Sequence, residues 1–148
     1  MSPFRNPDSI TVVRAATLSP PIVRAFPKFP SDLASRMISG AVVVAYVIDT
    51  TGRVELGSTS FLNETHREFA NAVCDYLPKV RFQPFLVGDR KLRILVVRLH
   101  EFVAPGGPDS PEISEALRLQ SRTEDEFMKT PVVAIVNELE TLPHCAAR

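Results

Sequence analysis

The sequence predicts an α+β fold: a three-stranded antiparallel sheet packed by two helices, followed by an extra, mostly helical C-terminal tail. Three patterns indicate this fold class. Residues 41–48 form an almost continuous β-branched run, residues 69–80 repeat apolar side chains at helical spacing, and residues 91–102 place charges at intervals along an apolar segment. These patterns are typical of a central strand, an amphipathic helix and a strand at a sheet edge, respectively.

The chain begins with an extended lead-in. Residues 9–16 are rich enough in β-branched side chains for a short edge strand. Prolines then hold the following segment in extended conformations, because each restricts its own φ and its predecessor; they are Pro20, Pro21, Pro27 and Pro30. Ser31 can cap a short helix through Ile38, and we expect Gly40 to supply the left-handed residue that ends it.

The first hairpin follows directly. Its leading strand, residues 41–48, is apolar on both faces and is predicted to lie in the centre of the sheet or beneath covering helices. Asp49 supports the turn, and Gly52 takes the positive φ. The return strand, residues 53–62, loses its alternation around Gly57, Ser58 and Ser60, which predicts a bulge or an exposed end.

The main helix carries two signals. Thr65 and Glu68 have the spacing of a capping box, in which each side chain satisfies the free backbone N–H of the other residue. Behind them lies one apolar stripe that we expect to pack on the sheet; its members are Phe69, Ala72, Val73, Tyr76, Leu77 and Val80. Pro78 interrupts the pattern, so the last turn is predicted to be kinked or re-initiated.

The last hairpin spans residues 81–103 and turns at Gly88-Asp89. An F-x-P corner, formed by Phe82 and Pro84, leads into it. The second strand, residues 91–102, is long and apolar but is interrupted by Lys91, Arg93, Arg98 and Glu101. Charges placed in this way protect an exposed sheet edge from unwanted pairing. We therefore predict that this strand lies at an edge.

The character of the chain changes after Val103. A Pro-Gly linker is followed by three helix-start signals, at Ser110-Pro111, at Thr123 with Glu126, and at Thr130-Pro131. The β-branched residues after Pro131 leave a strand open as an alternative. We divide the chain into a lead-in (1–19), an α+β domain (20–103) and a linker with an acidic helical tail (104–148).

The net charge is zero but unevenly distributed. Residues 1–103 hold 13 Lys/Arg against 9 Asp/Glu, giving +4, and residues 104–148 hold 4 against 8, giving −4. The neutral total argues against nucleic acid as a partner. The acidic tail has apolar faces, so we expect it to fold back over or beside the hairpin that carries Arg90, Lys91 and Arg93. A loosely attached tail is the alternative.

Two cysteines are too few for a disulfide scaffold. We expect Cys74 to be a small buried side chain and Cys145 a free thiol, and their oxidation state stays open. The longest apolar run, residues 41–48, is far shorter than the ~20 residues of a membrane helix. Residues 1–9 lack the apolar core of a signal peptide. We therefore expect either a soluble chain or one whose anchor and export signal precede these residues.

No catalytic or metal-binding pattern is recognisable. His66, His100 and His144 are not part of a metal-ligand motif, and His144-Cys145 is predicted to be a solvated tail pair. The carboxylates of residues 124–126 look like a paired-carboxylate site, but a solvated helix start is the favoured interpretation. We expect a protein that is not an enzyme, with no cofactor and no metal.

Three segments resemble the C-terminal domain of TonB-family energy transducers. F-P-S-D-L-A-S-R-M-I-S-G (29–40) is similar to the family's Y-P-x-x-A-x-x-x-x-x-x-G lead-in. V-V-V-A-Y-V-I-D-T-T-G-R-V (42–54) is similar to its V-x-V-x-F-x-V-D-x-x-G-x-V hairpin, and R-F-Q-P-F (81–85) to its F-x-P-A corner, with Phe85 in place of a small residue. The resemblance extends over residues 20–103. The residues that we expect to determine the fold are Pro30, Gly40, Asp49, Gly52, Phe69, Val73, Phe82 and Pro84.

The resemblance implies a periplasmic protein-interaction module. Domains of this family take a strand-like peptide of an outer-membrane transporter onto a sheet edge, where backbone hydrogen bonds provide the affinity. The candidate edge here is residues 91–102, with partner-binding positions at Lys91, Arg93, Leu95, Val97 and Leu99. If an N-terminal membrane helix precedes these residues, attachment to the inner membrane and contact with inner-membrane motor proteins are implied too.

Other interpretations stay open. A freestanding interaction or scaffold domain, not coupled to transport, is the first alternative. An enzyme with an unrecognised site is the second, although a small three-stranded sheet seldom offers the deep pocket that it requires. A homodimer is left open, and the sequence does not identify the transporter or its cargo.

Overall fold

Five strands form the sheet in the computed structural model, which describes residues 4–106 and 110–145. The strands are β1 (Ile10–Val12), β2 (Gly40–Ile48), β3 (Val54–Glu64), β4 (Phe85–Val87) and β5 (Arg90–Phe102). The helices are α1 (Ser31–Ser35), α2 (Arg67–Tyr76), α3 (Pro111–Phe127) and α4 (Val132–Leu139). Single 3₁₀ turns occupy Pro7–Ser9, Ala15–Thr17 and Leu77–Lys79. The fold is mixed α+β, as predicted.

The strand order is β1-β5-β2-β3, with β4 paired to β5 as a short hairpin arm. The β2–β3 and β2–β5 pairs are antiparallel, whereas β1 runs parallel to β5. The prediction of three strands was therefore wrong, because the sheet has five. The two additional strands are β1, which is shorter than the predicted strand at residues 9–16, and β4, and both pair with β5. The long β5 offers backbone groups on both of its sides and can accommodate these extra partners.

The first hairpin forms as its turn residues predict. Asp49 Oδ1 accepts hydrogen bonds from the Thr51 N–H (2.8 Å), the Thr51 hydroxyl (2.6 Å) and the Arg53 N–H (3.1 Å). Partial burial opposes ionisation of Asp49, but these hydrogen bonds outweigh it and lower the pKa of the carboxyl. Gly52 has φ 91°, and a side chain there would collide with the carbonyl of Phe82. The turn is thereby fixed against the F-x-P corner.

The return strand β3 contains the predicted bulge. Ala45 lies opposite Ser60 but Val47 lies opposite Glu55, so several residues of β3 face one residue of β2. The Ser58 hydroxyl bridges the gap: it donates to the Glu55 carbonyl (2.6 Å) and accepts from the Val47 N–H (2.9 Å). The polar residues that broke the alternation therefore satisfy the backbone where regular pairing is lost.

The first helix ends differently from the prediction. Met37, with φ 54°, takes the left-handed position that we assigned to Gly40. The Ile38 N–H donates to the Leu33 carbonyl (2.9 Å) and the Met37 N–H to the Ala34 carbonyl (3.0 Å), which is a Schellman motif. Gly40 instead begins β2, where a Cβ would collide with Thr65 and Phe69. The glycine permits close approach of α2 to the sheet.

The predicted capping box is absent. His66 is the N-cap residue of α2 and its side chain caps nothing. The Thr65 hydroxyl accepts a hydrogen bond from the Ala41 N–H (3.1 Å). A tertiary contact with β2 therefore takes the oxygen that a local cap would have used. The apolar stripe of α2 does face the sheet, and a 3₁₀ turn at Leu77–Lys79 follows where Pro78 interrupts the helix.

The two faces of the sheet bury separate apolar clusters. On the α2 side, Val42, Val44 and Tyr46 of β2 pack with Phe69 and Val73. On the other side, the alternate β2 residues pack beneath α3 and α4; the buried members there include Ala41, Val43, Val47, Leu95, Val97, Ala116, Phe127, Ile135, Val136 and Leu139.

The tail is docked over the sheet. The tail covers the face beside the predicted edge. No acidic side chain of residues 110–145 forms an ion pair with Arg90, Lys91 or Arg93. Thr123 and Glu126 lie inside α3 and begin no separate helix.

The expectation of free thiols was wrong. Cys74 of α2 and Cys145 form a disulfide, with their Cα atoms 5.5 Å apart. After α4, the chain turns back to the outer side of β3. There the Phe61 N–H donates to the Pro143 carbonyl (2.9 Å), and Ser60 forms an isolated antiparallel β-bridge with His144. This return brings the end of the tail to α2. The prediction of a solvated tail pair at His144-Cys145 was therefore wrong. Cys145 is bonded to Cys74 and has no free thiol with which to bind a metal.

Candidate partner-binding edge

The outer edge of β5, which faces away from β2, is the candidate site. Successive residues of a strand direct their backbone N–H and C=O groups to opposite edges. Leu95 accepts a hydrogen bond from the Val13 N–H (3.1 Å), and Val97 accepts one from Gln120 Nε2 (3.2 Å). Neither donor belongs to β2. The odd-numbered residues of β5 therefore point outward, and the even-numbered residues pair with β2.

The lead-in occupies one end of this edge. Ile10 pairs with Arg93 and Val12 with Leu95. The Arg93 guanidinium holds the arrangement: it binds both oxygens of Glu55 (2.6 and 2.7 Å), the Ser9 hydroxyl (2.9 Å) and the carbonyls of Arg5 and Asn6. Hydrogen bonding to Glu55 raises the pKa of Arg93 despite partial burial.

After Val13 the lead-in leaves β5 and is held by the end of α3. Arg14 Nη1 lies 2.8 Å from Asp125 Oδ1, and the Ala15 N–H donates to Glu124 Oε2 (2.8 Å). The carboxylates that looked like a catalytic pair or a solvated helix start therefore bind the lead-in. Their effect is to direct the chain away from the rest of the β5 edge.

Residues 99–101 form what we call the open edge, since the Val97 carbonyl before them already accepts a hydrogen bond from Gln120. Leu99 and Glu101 point their N–H and C=O groups outward, and none of the described residues forms a hydrogen bond to these groups. Glu101 is exposed and Leu99 is half-buried. Unpaired backbone groups in a row are a template on which another strand can pair.

The structure distributes the predicted partner-binding residues along β5. Lys91 pairs with Leu86 in the hairpin, and Arg93 and Leu95 pair with β1. The side chains of Leu95 and Val97 are buried beneath the tail helices, so they offer a partner only backbone atoms. Leu99 lies in the open edge. Binding of a partner at these positions stays a prediction. Because β4 and β1 already pair with the earlier positions, only the C-terminal part of β5 is available for it.

A polar cluster lies on the α2 face of β5, and the sequence analysis missed it. The Tyr76 hydroxyl is 3.2 Å from His100 Nδ1, and Arg98 Nη1 donates to the Tyr46 hydroxyl (3.4 Å). Burial, with a smaller contribution from the Arg98 charge, lowers the pKa of His100 to about 3. Burial also raises the pKa values of both tyrosines. The signal was the spacing of Arg98 and His100, which puts two polar side chains on one face of an apolar strand.

No model of a known protein family matches the sequence, and neither does any curated protein. The chain is similar to a TonB C-terminal domain. That structure is the solution NMR structure of the Pseudomonas aeruginosa TonB CTD, with 25% sequence identity and a TM-score of 0.49 over 56% of this chain and 83% of that chain. The motifs between residues 29 and 85 resemble the same family.

Two further properties concern the described residues alone. Each helix within residues 4–106 and 110–145 is too short or too polar to cross a lipid bilayer. The same part of the chain brings together no group of three His, Cys, Asp or Glu side chains that could hold a metal ion.

Proposed function

We propose that the chain is a protein-interaction module of the TonB energy-transducing type. It binds a strand-like peptide of an outer-membrane transporter by β-augmentation, and the peptide pairs with the open edge. The observation that carries this proposal is the outward backbone of Leu99 and Glu101, which has no hydrogen-bond partner among the described residues. In strand addition the backbone supplies affinity, so an available edge is the main requirement.

The geometry limits the length and contacts of the peptide. Because β1 fills the edge at residues 93–95 and Gln120 occupies the Val97 carbonyl, the added strand pairs with residues 99–101 and continues toward Val103. Leu99 is half-buried and the exposed fraction of Val103 is 61%, so both offer apolar surface to alternate side chains of the peptide. The added strand extends the sheet on the side where the lead-in turns away.

The proposed location is the periplasm. The disulfide between Cys74 and Cys145 supports an oxidising compartment, because glutathione and thioredoxin keep cytosolic thiols reduced. Attachment to the inner membrane and contact with motor proteins are part of this proposal only for a chain that carries an N-terminal membrane helix.

The proposal assigns no catalytic role. The buried His100 is a poor candidate for a general base, since its pKa of about 3 is far from neutral pH. An enzyme would use a pocket with a base matched to the working pH, and a binding module requires only the edge. Peptide binding without chemical change to the peptide is therefore the expected activity.

The test uses a matched pair of substitutions at Glu101, which is exposed. Glu101→Pro removes an outward N–H and leaves the inward pairing of its neighbours intact, so it should weaken binding of a transporter's N-terminal signalling peptide about tenfold or more. Glu101→Thr keeps the N–H and suits a strand, so binding should be unchanged. Peptide affinity is measured by titration calorimetry. Amide exchange should show new protection at Leu99 and Glu101; protection that appears only along β3 would contradict the proposal.

A freestanding interaction domain is the second candidate. The observation that favours it is the α3–α4 layer, which lies beyond the segment that resembles the family. The two candidates differ in specificity. A module coupled to transport should prefer the transporter peptide over a scrambled peptide of equal strand propensity, whereas a freestanding domain has no reason to prefer it.

A further inference from the structure

We propose that a cationic cavity between the proline-rich segment and β5 binds a small carboxylate with an apolar body. The cavity has a volume of about 360 Å³ and lies between residues 21–27 and the α2 face of β5. Arg98 and His100 line it from the strand, and Arg24 from the proline-rich segment. Tyr76 at the end of α2 and Val80 after the following 3₁₀ turn line the other side. This inference is independent of the strand-binding function.

The charges of the cavity are unbalanced. Two arginines line it, Arg24 and Arg98, and no Asp or Glu does. Within the described part of the chain, neither guanidinium has a carboxylate within 4.0 Å. Arg98 is half-buried and contacts neutral groups: the Tyr46 hydroxyl at 3.4 Å and the ring of Phe82, whose centroid is 5.5 Å from Cζ. Charges that lose contact with water are normally paired. A carboxylate would supply the missing partner in a bidentate arrangement.

Neighbouring cavities do not share this imbalance. The adjacent groove, of about 430 Å³, is lined by three acids and two lysines; these are Asp32, Glu68, Asp75, Lys28 and Lys79. A third cavity, near the start of α2, has Glu112 and Glu115 in its lining. An anion that enters the molecule on this side is therefore favoured in the arginine cavity and disfavoured next to it.

The remaining lining groups fit the rest of such a ligand. Tyr76 and His100 are both uncharged near neutral pH, because burial raises the pKa of the phenol and lowers that of the imidazole. They can therefore donate or accept hydrogen bonds without repelling an anion. Apolar side chains from Pro21, Ala25, Pro27 and Val80 complete the walls. Phe26, with 81% of its surface exposed, also lines the cavity and offers an aromatic contact.

The experiment titrates the full chain with phenylacetate and hexanoate and follows the Arg98 and Tyr76 signals by NMR. Both carboxylates should bind in the millimolar range or better. Phenylacetamide, which has the same ring but no charge, should bind about tenfold more weakly or not at all, since hydrogen bonds to charged groups are the stronger ones. Arg98→Met keeps the aliphatic stem but removes the charge and should weaken phenylacetate about tenfold. Arg90→Met, at an exposed position of the same strand, is the matched control and should leave binding unchanged.

Thermal melts establish that each variant is folded. If Arg98→Met does not fold, Arg24→Met replaces it, because Arg24 is exposed and its loss should not affect folding. Failure of both carboxylates to bind at millimolar concentration would overturn the proposal. Equal binding of phenylacetamide, or unchanged binding in a folded Arg98→Met variant, would also overturn it. Peptide binding at the open edge is measured separately and decides nothing about this cavity.

Discussion

The two faces of the sheet are built from the same strand but covered in different ways. Every residue of β2 is buried: its even-numbered side chains face α2, and its odd-numbered side chains face α3 and α4. The α2 face is covered mainly by α1 and α2, which precede and follow the β2–β3 hairpin, and it includes the Tyr76–His100 polar contact. The tail face is covered by residues far along the chain and by Phe4 and Ile10 of the lead-in. The comparison indicates that the tail supports the sheet; both of our proposed binding sites lie elsewhere, at the β5 edge and on the α2 face.

The largest expected effect tests whether the tail face is as essential as the α2 face. Val73 of α2 and Ile135 of α4 are both fully buried. Val73→Asp and Ile135→Asp each bury an unpaired charge, so both should lower the free energy of unfolding by more than about 4 kcal/mol and abolish cooperative folding. Circular dichroism and thermal melts provide the measurement. Arg67→Ala, at an exposed position of α2, should change stability by less than about 0.5 kcal/mol. A normal melt for Ile135→Asp beside an unfolded Val73→Asp would show that the tail is dispensable.

The disulfide joins α2, which covers one face of the sheet, to the end of the tail, which covers the other. Its removal should have the next largest effect. The closed loop has a sequence separation of 71 residues between Cys74 and Cys145, so loss of the bond should cost about 4 kcal/mol in the chain-entropy model. Cys145→Ser, compared with wild type under oxidising conditions by denaturant titration, gives the value. The amide of Phe61 should also exchange faster, since its hydrogen bond to the Pro143 carbonyl holds the same end of the tail. Addition of reductant should bring wild type close to Cys145→Ser. A wild-type midpoint that does not respond to reductant would contradict this expectation.

The α2 face was predictable because it depends on interactions between residues that are close in sequence. Asp49 and Gly52 fold their turn with groups four residues apart or fewer, and the α2 stripe depends only on helical spacing. The tail face depends on pairs that are distant in sequence. No pattern near Cys74 shows that Cys145 returns to it, and β1 must cross the molecule to pair in parallel with β5. Where a distant partner competed with a local one, the distant partner prevailed: Thr65 accepts from Ala41 and gives up its capping role.

The candidate site was partly predictable for the same reason. Charges along residues 91–102 predicted an edge strand, but β5 lies between β1 and β2 in the sheet, and only Leu99 and Glu101 direct backbone groups outward without a partner among the described residues. That β1 occupies residues 93–95 could not be inferred, because Arg93 binds a carboxylate 38 residues away and carbonyls of the lead-in more than 80 residues away. A basic residue that looked like edge protection is a structural anchor.

The smallest expected effect concerns the polar contact that distinguishes the α2 face. His100 is neutral in the folded protein down to a pKa of about 3, whereas the unfolded chain binds a proton near 6.5. Between these values the unfolded state binds more protons, so stability is complete above about pH 6.5 and falls as the pH decreases toward 3. At pH 5 the loss should be about 2 kcal/mol relative to pH 7.5. The measurement is urea unfolding at both pH values. The loss is expected to be smaller by about this amount in His100→Gln, while the part that comes from His144, whose pKa burial also lowers, should persist. Glutamine does not titrate and can still bond to the Tyr76 hydroxyl. His66→Gln, which replaces a histidine at the start of α2 in the same way, is the matched control variant. If wild type and His100→Gln lose equal stability on acidification, the pH sensitivity does not come from this face.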